Sequence, residues 1–355
     1  MTVLSVLDQS PVPQGSTPAE ALADTVALAQ VAERLGYRRY WLAEHHNTAS
    51  LAASAPEVLA ACVAARTSSI RVGAGGVLLP YYSPLKVAEA WRTLEALFPG
   101  RIDLGIGRAS GADEAGAAAL GQGPGAPQDA SYPDKLANLV GFLDDRLDPH
   151  DPLAEVRTML DGPGVRAMPD GSGPPQVWVL GSSSDGSALA ADMGLRFCFA
   201  HFISPGFGPQ VVAAYRRRFR ATRMCPVAVA AVAVSVICAE TDAEAQRLAT
   251  SADIWRLHPE GAERGPLLSI EEAQAYPLGD LERLLLDQDR AKRVVGAPDR
   301  VRDHLEGLTG AYGVEELVVL TVCHDLRSRQ RSYELLAAAL GLEGTSPDGE
   351  GAPAV

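Results

Sequence analysis

Residues Val227–Cys238 read VAVAAVAVSVIC, a run of twelve residues in which Ser235 is the one polar side chain. A strand with one face in water alternates apolar and polar residues, whereas a strand buried on both faces is apolar throughout. The run is also rich in the β-branched residue valine, which is typical of strands. This stretch therefore predicts a strand in a parallel sheet that is covered by helices on its outer face.

Seven further apolar runs of this kind recur along the chain, with helical patterns between them. They are Val3–Leu7, Arg39–Ala43, Ile70–Leu79, Ile102–Ile106, Val177–Leu180, Phe197–Ala200 and Glu316–Thr321. Eight strands that alternate with helices predict an α/β protein with a closed (β/α)8 TIM barrel. A doubly wound open sheet is the alternative.

Three segments depart in composition from the strand and helix pattern. Ala109–Ala130 after the fourth strand is rich in Gly and Ala, Asp148–Pro175 before the fifth carries many Pro and Gly, and Trp255–Arg290 after the seventh is polar. Because each lies between barrel units, we interpret them as insertions and predict one barrel domain over residues 1–343. The small, polar segment 344–355 is predicted to be a disordered tail.

Charge and cysteine usage exclude several classes of protein. A net charge of −13 argues against binding to nucleic acid or to an anionic membrane surface, both of which favour basic proteins. The five cysteines are scattered and form no C-x-x-C pair, which favours free thiols in a reducing compartment over a zinc site or disulfides. Without a signal-like segment or a long apolar span, the sequence predicts a soluble, cytoplasmic protein.

Four polar or glycine-rich segments follow, or interrupt, predicted strands. In a TIM barrel the carboxyl ends of the strands form the active site, so these segments are the candidates for function. They are Glu44–Asn47 (EHHN), Gly73–Gly76 (GAGG), Gly105–Gly111 (GIGRASG) and Gly181–Ser187 (GSSSDGS).

The adjacent imidazoles of His45 and His46 could form a metal site, act as a catalytic base or simply end a strand. Neighbouring residues of a strand point to opposite faces, so the two side chains are badly placed to share one metal ion. No additional His, Cys or carboxylate at metal-ligand spacing completes such a site. We therefore expect no metal and expect one imidazole to face the barrel mouth. Two structural histidines remain the competing interpretation.

The glycine and serine segments indicate where a ligand could approach the backbone. Gly75 and Gly76 weaken a strand, which is typical of a bulge or of close approach by a ligand. Arg108, just past a strand end, suits a phosphate or carboxylate, or else an ion pair with a nearby loop acid. Ser182 and Ser183 open a helix, where backbone N–H groups bind anions, although simple capping would also select serine.

In this order, the motifs resemble the bacterial luciferase-like, flavin-dependent monooxygenases. The resemblance is carried by LAEHHN (42–47), VGAGGVLLPYYSPLKVAE (72–89), LEALFPGRIDLGIGRASG (94–111), VWVLGSSSDGSALAADMGLRFCFAHF (177–202), VVGAPDRVRDHLEGL (294–308) and VCHDLRSRQRSYELLA (322–337). It extends over the chain except the tail. The sequence is most similar to single-chain, FMN-type members from polyketide biosynthetic clusters, which implies a role in secondary metabolism.

The resemblance implies a role for each candidate residue. FMN would lie at the carboxyl end of the barrel, with His45 as the catalytic imidazole and Glu44 supporting it. A non-proline cis peptide between Gly75 and Gly76 would lie beneath the flavin ring. The phosphate would be held by Arg108, Gly181, Ser182 and Ser183, and His201 would act near the ring or the substrate.

By the same resemblance, a separate flavin reductase supplies reduced FMN, and O2 reacts at the flavin C4a as a peroxide that oxygenates a small, possibly polyketide-type substrate. The segment Trp255–Arg290 would be a lid that excludes water, and the chain would form a homodimer. Luciferases carry Cys, Glu and Trp where this chain has Gly107, Ser182 and His201, so light emission is not implied. The alternatives are deazaflavin-dependent hydride transfer on the same barrel and a non-catalytic flavin-binding protein.

Overall fold

A computed structural model describes residues 2–108, 111–121, 131–144, 153, 156, 173–258 and 264–344. The predicted tail beyond Gly344 lies outside the described residues, as does most of the inserted segment Asp148–Pro175. In the parts of the chain that the structure describes, no helix combines the length and the apolarity that a membrane crossing needs.

Nine parallel strands form the sheet. They are β1 (Val3–Asp8), β2 (Arg39–Leu42), β3 (Arg71–Leu78), β4 (Ile102–Gly107), β5 (Gln176–Gly181), β6 (Arg196–Ala200), β7 (Ala230–Cys238), β8 (Arg293–Gly296) and β9 (Glu316–Leu320). Eight of them close into a ring in the order β1-β2-β3-β4-β5-β6-β7-β9, with β9 paired to β1. The ring confirms the predicted (β/α)8 barrel and excludes the open sheet.

The sequence reasoning missed β8, which lies outside the ring and pairs with residues Ser235–Cys238 of β7. Its four residues, RVVG, are too few to show a strand pattern above the background of short apolar runs. The longer strand β7 pairs with three neighbours. Its amino-terminal part pairs with β6 and β9, and its carboxyl-terminal part pairs with β8.

Helices connect the strands and cover the outside of the barrel. They are α1 (Pro18–Arg34), α2 (Pro56–Ala65), α3 (Pro84–Leu97), α4 (Glu114–Gly121), α5 (Tyr132–Asp144), α6 (Ser184–Asp192), α7 (Gly208–Arg218), α8 (Asp242–Leu257), α9 (Ile270–Ala275), α10 (Asp280–Arg290), α11 (Pro298–Tyr312) and α12 (Leu326–Ala339). Local chemistry sets several helix starts. Thr17 and Glu20 form a capping box with Pro18 at the first helical position of α1, which satisfies backbone N–H groups that have no partner within the helix.

The strands divide their side chains between two hydrophobic layers. Alternate residues such as Leu4, Val6 and Leu42 pack outward against the helices, while Leu7, Trp41 and Trp178 pack inside the barrel. The rings of Trp41 and Trp178 meet edge to face at 5.3 Å between centroids. The inner layer fills the barrel, so a ligand has room only above it, at the carboxyl ends of the strands.

A buried ionic network lies near the amino ends of the strands. The Arg39 guanidinium contacts Asp103 at 2.7 Å and Glu316 at 2.6 Å, and Arg71 contacts Asp103 at 2.7 Å. Burial raises the pKa of the Asp103 carboxyl, but the two guanidiniums outweigh it and hold that pKa below its usual range. This network joins β2, β3, β4 and β9 on the side of the barrel away from the candidate site, and its role is structural.

Candidate active site

A cavity of about 520 Å³ opens at the carboxyl ends of the strands. This volume lies within the range of small-molecule sites. Every strand of the ring contributes to its wall, through residues that include Leu7, Trp41, Gly75, Gly107, Leu180, Cys198, Ala233 and Val318. The four segments that the sequence placed at strand ends all reach this cavity, because parallel strands end on the same side of a barrel.

Gly75 and Gly76 lie where β3 is irregular. The peptide bond between them is cis, as the resemblance implies, and the register with β4 shifts between Ala74 and Val77. A β-carbon on Gly75 would lie 2.6 Å from the Leu7 side chain, and one on Gly76 would lie 2.7 Å from the carbonyl oxygen of Gly105. The barrel itself therefore requires glycine here, and the bare backbone of both residues lines the cavity.

The Gly76→Ala variant is expected to lose about 1–3 kcal/mol of unfolding free energy, because the added methyl group meets a backbone carbonyl that cannot move aside freely. Urea denaturation of the two proteins would measure the loss. Gly307→Ala is the matched control, since nothing lies within 4 Å of a β-carbon there and alanine favours a helix. Equal stability losses in the two variants would contradict the packing explanation.

Glu44 is buried and makes three hydrogen bonds. Its Oε1 contacts His46 Nε2 at 2.7 Å and accepts from the Tyr82 hydroxyl at 2.5 Å, and its Oε2 accepts from the Leu78 backbone N–H at 3.0 Å. Burial, together with the Glu44 carboxylate, raises the pKa of the Tyr82 phenol. The imidazole that this carboxylate bonds is thus His46, whereas the resemblance implied His45. Residues two apart in extended chain share a side, which places His46 beside Glu44.

His45 lines the cavity. Its backbone N–H donates to the Ala53 carbonyl at 3.0 Å, and that of His46 donates to Gly111 at 2.9 Å. Both bonds fix the chain after β2, so the imidazole of His45 is carried by a defined backbone. Within the described ranges no three His, Cys, Asp or Glu side chains converge in a way that could hold a metal ion.

Arg108, Ser182 and Ser183 lie on one side of the cavity, where β4 and β5 are paired. The Arg108 side chain is exposed and has no ion-pair or hydrogen-bond partner among the described residues. The Ser183 hydroxyl accepts from the Gly186 N–H at 3.3 Å and so caps α6. The capping interpretation is correct for Ser183, and it is compatible with an anion at the same helix terminus.

Tyr132 completes this side of the cavity, and the sequence reasoning did not find it. Tyr132 is the first residue of α5, and its buried hydroxyl has no hydrogen-bond partner among the described residues. Burial raises the pKa of Tyr132 to about 12, against an opposing effect of Arg108. A neutral phenol and a guanidinium that both lack partners in the described part of the chain suit an anionic group such as a phosphate. Its position depends on how α5 folds back, which no local motif indicates.

His201 is not among the residues that line the cavity, although its neighbours Ala200, Phe202 and Ile203 are, and its role near the ring or the substrate stays a prediction. Its Nδ1 contacts the Tyr312 hydroxyl at 2.8 Å, and burial with the nearby His304 lowers the pKa of its imidazole. Cys198 and Ala200 of β6 line the cavity, whereas His201 lies in the turn that follows the strand. Its ring packs against Tyr312 at the end of α11.

The predicted lid contributes Trp255, Arg256, Arg264 and Asp289 to the cavity wall, and Lys292, two residues beyond it, also lines the cavity. The Arg264 guanidinium lies 4.5 Å from the centre of the Trp255 ring. Leu267 is fixed to the loop after β1, because its N–H donates to Val12 and its carbonyl accepts from Gln14. The described parts of the segment thus reach the cavity wall, and a role as a lid stays a prediction.

Comparison with known proteins gives consistent matches. The family model of luciferase-like monooxygenases matches residues 1–315. A luciferase-like monooxygenase of Escherichia coli (strain K12) is 35% identical over 331 residues, which is 93% of this chain and 95% of that protein. The N-acetyl-S-alkylcysteine monooxygenase of Bacillus subtilis (strain 168) is 35% identical over 343 residues, covering 96% and 98%. The crystal structure of apo-MsnO8 has a TM-score of 0.82 and 40% identity, covering 97% of this chain and all of that one.

Proposed function

The chain belongs to the luciferase-like monooxygenase family and is a flavin-dependent monooxygenase, and from that premise we propose that it is the oxygenating component of a two-component system. It takes reduced FMN from a separate reductase and uses O2 to oxygenate a small organic substrate. The observation that carries the proposal is one cavity lined by His45, by the bare backbone of Gly75 and Gly76, and by the cation Arg108, which has no ion pair among the described residues.

The residues of the cavity fit FMN. Arg108, the unsatisfied Tyr132 hydroxyl and the N–H groups that open α6 at Ser183 would hold the phosphate. Deazaflavin cofactors also carry a phosphate, so this side of the cavity supports binding of either cofactor, and experiment has to distinguish the two ring systems. The cavity volume and apolar wall suit a planar ring beside the Gly75–Gly76 backbone.

When bound, the reduced flavin supplies the activation of O2 and the transfer of one oxygen atom. The chain's own residues prepare the site for this chemistry. Leu7, Trp41 and Val318 give the cavity an apolar floor, and the segment over the mouth limits the access of water. The imidazole of His45 would hold or move the proton that oxygen transfer requires, as general acid–base catalysis needs a titratable group at the reacting atoms.

The organisation of the described chain supports an external source of reducing equivalents. Among the described residues, every strand except β8 is part of the barrel ring. That leaves no second sheet of the kind that binds a nicotinamide dinucleotide. Hydride would then reach the flavin on another protein, before FMN enters this cavity.

Anaerobic titration with reduced FMN and with a reduced deazaflavin tests the proposal. We expect reduced FMN to bind more tightly, and O2 consumption coupled to product to follow when a flavin reductase, NADPH and a substrate panel are added. The panel would include N-acetyl-S-alkylcysteines, after the name of one relative. Tight deazaflavin binding without O2 consumption would instead support hydride transfer. Flavin binding with no turnover would support the non-catalytic alternative.

The Arg108→Ala variant is expected to bind FMN about ten- to a hundredfold more weakly, because one charge-assisted hydrogen bond to the phosphate is lost. Its affinity for riboflavin, which lacks the phosphate, should equal that of the wild type. Fluorescence quenching of each flavin would measure both constants, with Arg302→Ala on the exposed face of α11 as the matched control. A parallel loss of riboflavin affinity would show that Arg108 does not act on the phosphate.

A further inference from the structure

Besides Arg108, the cavity wall carries Arg256, Arg264 and Lys292, and Lys292 lies on a different wall from Arg108. Arg108 follows β4, while Lys292 directly precedes β8, which is paired with the carboxyl-terminal part of β7. In the ring of eight, β7 is three strands away from β4. The two positive charges therefore lie at separate places around the mouth of the barrel.

The arginines near Lys292 are paired with carboxylates. Arg293 contacts Asp253 and reaches Asp289 at 3.2 Å, and Arg290 contacts Asp253 at 2.5 Å. Arg256 lies 4.0 Å from Asp289. Lys292 differs from them: its ammonium has no ion pair or hydrogen bond among the described residues, although the side chain is half-buried.

A half-buried ammonium without a counter-ion is unfavourable, because it has lost part of its hydration and gained no partner. An anion that enters the cavity would supply that partner. Arg256, Arg290 and Arg293 share three carboxylates, Asp253, Asp287 and Asp289, so the Lys292 ammonium is one positive charge in excess of these pairs. One positive charge suits a single negative charge, such as that of a carboxylate.

We propose that Lys292 recognises a carboxylate on the organic substrate, so that the monooxygenase selects acids over their neutral derivatives. The inference rests on the proposed function, because it requires that Arg108 and the amino terminus of α6 bind the flavin phosphate. Lys292 is then available to bind the substrate. Lysine is rare in this chain, which contains only Lys86, Lys135 and Lys292. The charge at this position can therefore be removed and compared with a lysine of the same chain.

Isothermal titration calorimetry of the full chain, with and without FMN, tests the proposal. The probes are N-acetyl-S-methylcysteine, N-acetyl-S-benzylcysteine and phenylacetate, each beside its primary amide. For at least one pair we expect the acid to bind at least about tenfold more tightly than the amide. The Lys292→Met variant should lose that preference, whereas Lys86→Met, on an exposed lysine of α3, should keep it. Circular dichroism of both variants would verify the fold.

Two results would overturn the proposal. The first is that every acid binds like its amide, or that Lys292→Met retains the preference. The second is that Lys292→Met weakens FMN but not riboflavin, since Lys292 would then bind the flavin phosphate. A different result separates this inference from the proposed function. If the wild type binds no reduced FMN but shows a preference for acids that depends on Lys292, the inference holds and the FMN proposal fails.

Discussion

Replacement of His45 by alanine is expected to lower product formation by about 10²- to 10⁴-fold, the usual contribution of general acid–base catalysis. The affinity for FMN should change little, because the proposed phosphate-binding residues lie after β4 and β5, away from the segment after β2 that carries His45. Product formation would be measured with reduced FMN, O2 and a saturating substrate, and flavin affinity by quenching of flavin fluorescence. The contrast between the two readouts distinguishes a catalytic imidazole from a binding one.

His201→Ala is the matched control for this experiment. It removes an imidazole near the same end of the barrel, but one that contacts Tyr312 outside the cavity. We expect turnover of that variant to stay within about a few-fold of the wild type, in line with a change away from the reacting atoms. If instead His201→Ala abolished turnover and His45→Ala did not, the assignment of the two histidines would have to be reversed.

Asp103→Asn is expected to destabilise the fold by about 3–5 kcal/mol, the usual result of removing one partner from a buried ion pair. Asp103 is fully buried and bonds Arg39, Arg71 and the Trp41 indole N–H. The amide that replaces it is isosteric but uncharged, so two guanidiniums lose their shared counter-ion. Urea denaturation at neutral pH would measure the change.

The Asp103 carboxylate also leads us to expect that the stability of the fold depends on pH. Its pKa in the folded protein lies below the ordinary value of 3.8, so the unfolded chain takes up the proton first as the pH falls. The contribution of Asp103 is therefore complete above the unfolded pKa and is lost as the pH falls through the folded one. The stabilities of wild type and Asp103→Asn should converge in acid.

Asp299→Asn is the control for this pair of measurements. Asp299 is an exposed partner of Arg302 at 3.0 Å, and exposed ion pairs contribute at most about 1 kcal/mol. A loss in Asp103→Asn no larger than that of the control would mean that the barrel network adds little to stability. In that case the two arginines must find other partners when the carboxylate is neutral.

Local chemistry in the sequence determined most of the fold. A strand buried on both faces has to be almost entirely apolar, and AAVAVSVIC, the sequence of β7, meets that requirement without reference to any other segment. Capping residues such as Thr17 and Glu20 mark a helix start because their bonds span only three residues. Strand β8 escaped prediction because its four residues are held by β7, which is distant in sequence.

The sequence also identified part of the site. Gly75, Gly76, Arg108 and Ser183 were predicted to meet because they end, or interrupt, parallel strands, and all four line one cavity. Only the tertiary structure decided which of the other polar residues take part. Glu44 bonds His46, His201 contacts Tyr312, and Tyr132 and Lys292 enter from segments between strands. The sequence pattern of a strand shows that its side chains alternate between two faces. Which of the two faces lines the cavity depends on packing against residues far away in the chain.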